Sequence, residues 1–196
     1  MTRQKEIEAV HGRDSIQADL SWLQAANQGD VTAWEQLIKR YQQPVFRLAY
    51  LILGNAQDAE EVAQDVFVRA YKSLASFDVS RPLQPWLLQI TRNLARNKYR
   101  SLKRYLTAVQ RWRQTEPAPP VVETAHQENA QLLWRAVRRL RPSAQEIIYL
   151  RYFLELSEAE TAEALAVKPG TVKSRLSRAR AQLRDIIETD FPELTQ

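Results

Sequence analysis

One stretch of the chain, residues 168–184, constrains the possible fold more than any other. It reads KPGTVKSRLSRARAQLR and holds six basic residues and no acidic residue. Its apolar residues recur at spacings of four, three and four, as on one face of a helix; they are Val172, Leu176, Ala179 and Leu183. The opposite face carries small hydroxyls flanked by cations, which suit a helix that enters a DNA groove; it consists of Lys173, Ser174, Ser177 and Arg178. A surface helix with a solvated basic face fits the same pattern. The neighbouring residues distinguish this alternative from a DNA-binding helix.

The residues before this stretch complete a helix-turn-helix. Ser157 and Glu160 have the spacing of a capping box, which predicts a short helix that runs to about Leu165. Pro169 is tolerated in a first helical turn and predicts that the second helix begins beside it. Lys168 stands where a Ser, Asn or Asp cap is expected, which suggests that it contacts a DNA phosphate instead. Two short helices with a cation-rich second member are typical of helix-turn-helix proteins.

Two further helices are predicted upstream of this motif. Ser143 and Glu146 repeat the capping-box spacing directly after Pro142, which should end the helix before it. That preceding helix is rich in arginine, at positions Arg135, Arg138 and Arg139, with Arg141 following. Residues 128–190 are therefore predicted to form a basic four-helix domain, and packing alone would not explain its one-sided charge.

Composition narrows the class of protein. The 196 residues include only four glycines, and no run of alternating apolar residues predicts a strand, so the chain is expected to be all-α. A net charge of +5 favours a polyanionic partner. The chain has no cysteine and no phosphate-binding or nucleophile motif, so we expect no enzyme, no metal and no cofactor. It shows neither a signal peptide nor an apolar run long enough to span a membrane, so we expect a cytoplasmic location. His11 and His126 lie in polar segments typical of surface histidines.

A proline-rich stretch, TEPAPPVVE at residues 115–123, divides the chain in two. We predict a polar N-terminal extension over 1–17 and a first helical domain over 18–105. A linker over 106–127 then joins this domain to the basic domain.

In the first domain, Asp30 and Asn55 are predicted helix caps, and Gly54 ends the helix between them. The helix after Asn55 buries an apolar stripe, while its outward face is acidic around Asp58, Glu61 and Asp65. Acidic residues in a first turn stabilise the helix dipole, but those further along favour a docking face for another protein.

Another helix is predicted to begin at Trp86, and residues 86–115 carry eight cations and no carboxylate. Asn93 and Asn97 lie one turn apart among arginines, a mixture that suits unstacked single-stranded DNA. Trp86 is followed by Leu87 and Ile90, which favours a place in the core over a stacking role.

Three segments together resemble a known family. They are DAEEVAQDVFVRAY (58–71), WLLQITRN (86–93) and GTVKSRLSRAR (170–180). In this order, with a short linker, they are similar to bacterial sigma-70 factors of the extracytoplasmic-function type, over residues 25–105 and 128–188. The likeness implies a region 2-like domain and a region 4-like helix-turn-helix domain. It implies a sigma factor that binds core RNA polymerase, directs it to the −35 and −10 promoter elements and promotes initiation and melting.

The resemblance also implies site residues. The face toward the clamp of the polymerase largest subunit would be Glu61, Gln64, Asp65 and Val68. The −10 element would be held by the loop 77–85 and by Phe77, Arg92, Asn93, Arg96, Asn97 and Arg100. The −35 element would be held by Lys168, Thr171, Lys173, Ser174, Arg175 and Arg178. Many members of this family are held inactive by an anti-sigma factor, and no feature of the sequence identifies such a partner.

Two other classes of protein compete with this interpretation. An ordinary helix-turn-helix regulator that acts without joining polymerase would leave the acidic helix and the basic Asn-bearing helix unexplained. A helical scaffold that binds only proteins would leave both carboxylate-free basic stretches unexplained.

Overall fold

The computed structural model describes residues 19–110 and 127–195. Within these ranges every regular element is helical, which confirms the predicted all-α class. The described chain opens in a helix, α1, that runs to residue 27. The other helices are α2 (Val31–Leu53), α3 (Ala56–Ser73), α4 (Leu83–Gln110), α5 (Gln127–Arg139), α6 (Pro142–Ile148), α7 (Glu158–Leu165) and α8 (Pro169–Asp190). Shorter turns of helix lie at Leu74–Ser76, Tyr149–Phe153 and Pro192–Thr195. In the described part of the chain no helix has the length and apolar character needed to cross a membrane.

Side-chain caps fix two helix starts where the sequence predicts them. The Asp30 carboxylate accepts hydrogen bonds from the backbone N–H of Thr32 at 2.8 Å and of Ala33 at 3.1 Å. The Asn55 side-chain oxygen accepts one from the N–H three residues later at 2.9 Å. Gly54 ends α2 in the left-handed region, at φ 73°, which a residue without Cβ adopts at little cost. The predicted caps of α2 and α3 are therefore confirmed.

The predicted capping box at Ser143 and Glu146 is wrong. Helix α6 begins at Pro142, with Arg141 as its extended N-cap and no side-chain cap bond. The fixed φ of proline suits the first helical position, so the helix starts before Ser143 can act as a cap. Glu146 is thereby free of a capping role, and its carboxylate points to another helix.

Helix α4 is longer than the sequence predicts. It begins at Leu83 rather than at Trp86, and it continues to Gln110, five residues into the predicted linker. Residues 111–126 of that linker, the N-terminal extension and both histidines lie outside the described residues, and residue 127 already belongs to α5. The proposed boundaries between domains stay predictions.

The first hydrophobic core lies among α1 to α4. Its buried side chains come from all four helices, since the apolar stripes of α2, α3 and α4 face one another. They include Leu23, Leu37, Val45, Val66, Ala70, Leu87 and Ala95. Trp86 packs against this core and lies 4.5 Å from Phe77, centroid to centroid, which agrees with the predicted structural role of Trp86.

The second core joins the two halves of the chain. It is formed mainly by α5 to α8, through residues such as Val137, Ile147, Tyr149 and Val172. Leu48 and Leu51 of α2 and Leu88 of α4 belong to the same buried cluster, with exposed fractions of 1%, 6% and 0%. The C-terminal helices therefore pack directly onto α2 and α4, and this packing determines which faces of α4 and α8 remain open.

Candidate nucleic-acid interface

Helices α7 and α8 form the predicted helix-turn-helix. The Ser157 hydroxyl accepts from the Glu160 N–H, while the Glu160 carboxylate accepts from the Ser157 N–H at 2.8 Å, which is the complete capping box. Ala166 ends α7 in the left-handed region at φ 54°. Lys168 is the N-cap of α8 and makes no side-chain cap bond, as the sequence predicts.

The apolar face of α8 is buried, and its cationic face is open. Val172 and Ala179 are 0% and 1% exposed, and Leu176 packs partly against the same core. Of the residues predicted to contact the −35 element, Thr171 is half-buried. The others are exposed on the opposite side of the helix: Lys168, Lys173, Ser174, Arg175 and Arg178. The buried side fixes the rotation of the helix, so cations and a small hydroxyl face outward together.

Local hydrogen bonds order part of this face. The Ser174 hydroxyl donates to the Thr171 carbonyl at 3.1 Å, and Arg178 Nε donates to the Ser174 carbonyl at 3.2 Å. Arg175 and Lys173 make no hydrogen bond of this kind within the described residues, so their charged ends remain available to phosphate or base edges.

The predicted −10 residues of α4 fall on two sides of the helix. Asn93, Asn97 and Arg100 are exposed. Arg92 and Arg96, one turn apart, are turned toward the C-terminal helices and are only 15% and 29% exposed. The structure therefore does not bring the five α4 residues together on a single open face.

Glu146 of α6 accounts for this division. Its carboxylate lies 2.7 Å from Arg92 Nε through one oxygen and 2.7 Å from Arg96 Nε through the other. Its side chain is 5% exposed. The sequence does not predict this contact, because the spacing of Ser143 and Glu146 indicates a local cap instead. An acidic residue beside two isoleucines in a core helix is the signal that could have indicated a buried ion pair.

The two predicted DNA-contacting sets share one cleft. Arg92 and Arg96 of α4 face Thr171, Arg175 and Arg178 of α8 across a space of about 580 Å³. Arg141 also lines this space, so five guanidinium groups surround it. This concentration of positive charge suits an anionic ligand, and part of each predicted DNA-contacting set lies within this one cleft.

The acidic strip of α3 lies apart from this cleft. All four predicted docking residues are exposed: Glu61, Gln64, Asp65 and Val68. Lys98 of α4 lies 2.5 Å from the Glu61 carboxylate and 3.0 Å from that of Asp58. Burial alone would lower the pKa of Lys98, but the hydrogen bonds and charges of both carboxylates outweigh it and raise that pKa. The charge of the first part of the strip is thus partly neutralised, whereas Asp65 and the half-exposed Val68 face solvent.

The fold and the open basic face of α8 define a helix-turn-helix DNA-binding protein. Two family models match the chain: Sigma-70 region 2 over residues 37–105, and Sigma-70 region 4 over residues 130–183. The ECF RNA polymerase sigma factor SigW of Bacillus subtilis is 31% identical over 173 residues, which cover 83% of this chain and 92% of SigW. The chain belongs to the extracytoplasmic-function (ECF) group of the sigma-70 family of transcription initiation factors.

Further relatives agree with this assignment. SigM of Mycobacterium tuberculosis is 33% identical over 171 residues, which cover 87% of this chain and 85% of SigM. Among solved structures, CnrH in complex with the cytosolic domain of CnrY aligns with a TM-score of 0.68 and 26% identity, over 88% of this chain and 99% of CnrH. RpoE of Bartonella quintana, solved with the anti-sigma factor NepR, shares the fold with a TM-score of 0.63 and 24% identity, over 82% of this chain and 99% of RpoE.

Proposed function

We propose that this chain binds core RNA polymerase, directs it to −35 and −10 promoter elements and promotes melting of the duplex. The observation that carries the proposal is the geometry of α8, in which Val172 and Ala179 are buried while Lys173, Arg175 and Arg178 face outward. A recognition helix needs this combination of a fixed rotation and an open cationic face.

Residues 128–190 would bind duplex DNA at the −35 element. Arg175 lies near the start of the exposed face of α8, where its guanidinium group can donate hydrogen bonds to two acceptors on the edge of a guanine. Lys173 carries a point charge that suits a phosphate, and Thr171 and Lys168 lie near the start of the helix, where backbone N–H groups favour phosphate contacts.

Residues 18–105 would bind the −10 element as single-stranded DNA. Asn93 and Asn97 offer amide hydrogen bonds on the exposed side of α4, and Arg100 extends that side with a cation. Arg92 and Arg96 would join them once Glu146 no longer occupies their guanidinium groups. Unstacking a base costs a few kcal/mol, and contacts to the extruded base offset that cost.

The acidic strip of α3 would dock on the polymerase clamp. Asp65 supplies charge, Gln64 hydrogen bonds, and Val68, which is 52% exposed, an apolar contact. An apolar centre surrounded by polar groups is the usual arrangement of a protein interface. Glu61 takes part in the same face, although Lys98 already holds its carboxylate in the free protein.

This function needs no catalytic residue in the chain, since polymerase supplies the chemistry of RNA synthesis. It places the protein in the bacterial cytoplasm, where polymerase and promoter DNA meet. An anti-sigma factor is included as a further partner. CnrH, the 26% identical structural relative, was solved in a complex with the cytosolic domain of CnrY.

Reconstitution tests the proposal against an ordinary helix-turn-helix regulator. The purified chain should co-elute with core polymerase and confer promoter-specific run-off transcription. The double variant Lys173→Ala/Arg175→Ala should still co-elute, because the proposed docking strip on α3 is untouched, but it should lose −35-dependent transcription. A chain that binds promoter DNA and never associates with core polymerase would contradict the proposal and support the regulator.

A further inference from the structure

A buried carboxylate holds the two halves of the molecule together. Glu146 bridges Arg92 and Arg96 from α6 to α4, with each of its oxygens 2.7 Å from a different guanidinium nitrogen. Removing a carboxylate from water is costly unless its partners replace the lost hydration, and here two cations do so. The three charges therefore stabilise one another only while α6 lies against α4.

Other contacts support the same closed arrangement. Arg138 Nη1 donates to the carbonyls of Leu51 and Ile52 at 3.3 Å each, at the C-terminal end of α2. Arg81, in the loop before α4, pairs with Glu163 of α7. Together with the buried Leu48, Leu51 and Leu88, these contacts form a continuous interface between the halves.

The closed arrangement competes with nucleic acid for the same groups. Arg92 and Arg96 cannot bind the backbone of a single strand while Glu146 holds them. Arg175 and Arg178 of α8 line the same cleft but stay exposed, so the competition concerns the two arginines of α4.

The geometry points to Glu146 as an internal inhibitory group that keeps the free protein in a closed form with reduced affinity for DNA. Separation of the two halves releases Arg92 and Arg96 to the −10 strand. This inference rests on the proposed function of α4 and α8. It predicts that the apparent affinity of the free protein for DNA is lowered by the fraction of molecules that are open.

The test compares Glu146→Gln with the wild type in the absence of polymerase. A labelled single-stranded oligonucleotide of −10-like sequence should bind the variant about 10-fold more tightly by fluorescence anisotropy, if about one molecule in ten of the wild type is open. Glu188→Gln is the matched control, because Glu188 is exposed at the far end of α8 and the change in net charge is identical. The control should bind like the wild type.

A second measurement reads the conformation without DNA. The native chain has no cysteine, so Gln57→Cys in α3 and Thr189→Cys in α8, both exposed, accept spin labels specifically. Pulsed dipolar spectroscopy should give a mainly short, narrow distance distribution for the wild-type background and a broader, longer one with Glu146→Gln. Glu163→Gln breaks a second contact between the halves and should shift both measurements in the same direction, so the test stands if Glu146→Gln does not fold.

The outcomes separate this inference from the proposed function. Equal oligonucleotide affinity and unchanged distances for Glu146→Gln and wild type, in a protein that still supports promoter-specific transcription with core polymerase, would overturn the inhibitory role alone. Failure of wild-type transcription would instead overturn the proposed function. Tighter binding that Glu188→Gln reproduces in full would be a charge effect and would also overturn the inference.

Discussion

Arg175→Ala is expected to relax base preference at one position of the −35 element. Arg175 is exposed on α8, one turn from the buried Val172, so its truncation removes a surface side chain and leaves the core intact. The stability of the folded protein should change by less than about 0.5 kcal/mol. A change in promoter preference caused by Arg175→Ala therefore reflects a change in DNA recognition rather than unfolding.

The expected magnitude follows from the chemistry of the guanidinium group. A bidentate contact between arginine and guanine contributes about 1–3 kcal/mol of discrimination against the wrong base, which corresponds to about 5- to 150-fold in preference. Lys173→Ala is the matched comparison on the same exposed face. Loss of a phosphate contact should weaken binding about equally for all −35 sequences and reduce the slope of log affinity against log salt by about 1.

The assay is run-off transcription from a library of −35 variants with each purified holoenzyme, combined with binding measured over a range of salt concentrations. Arg175→Ala should flatten the preference at a single position, whereas Lys173→Ala should preserve the profile at lower overall output. An Arg175→Ala profile identical to that of the wild type, with a salt slope lowered by about 1, would show that Arg175 contacts phosphate and reads no base.

Three further perturbations test other parts of the molecule. Gln64→Ala combined with Asp65→Arg should reduce pull-down of core polymerase without loss of helicity, because charge reversal at a docking face brings like charges together; wild-type recovery of core enzyme would refute the docking role. Asn93→Ala should slow the appearance of permanganate-reactive thymines more than it weakens closed-complex binding, and a normal rate would move the melting role elsewhere, first to the loop 77–85. Burial raises the pKa of Asp19, and the hydrogen bond from the Tyr41 hydroxyl partly opposes this rise. Tyr41→Phe should therefore raise that pKa further and destabilise the protein at pH 7 by about 1–3 kcal/mol; an unchanged midpoint of thermal unfolding would refute this account.

Local interactions made much of the fold predictable. The caps at Asp30 and Asn55 and the capping box of Ser157 and Glu160 join groups two or three residues apart, so their spacing alone specifies them. The apolar period of α8 likewise predicted which side of that helix is buried, and Val172 and Ala179 confirm it. The DNA-contacting and polymerase-contacting roles stay predictions, since they depend on partners outside the chain.

Tertiary structure decided what the charged residues of α4 and α6 do. Arg92 and Glu146 are 54 positions apart in the sequence, and no local pattern relates them. The packing of Leu48 and Leu88 against the C-terminal helices brings α6 onto α4, and this contact turns Arg92 toward the interior of the molecule while Asn93 remains in solvent. The sequence by itself determined the helical class, the apolar faces and those helix ends that a side-chain cap fixes, because these depend on neighbours within one turn. The pairing of charges between helices required the whole chain, because a buried carboxylate takes whichever cations the packed fold brings within reach.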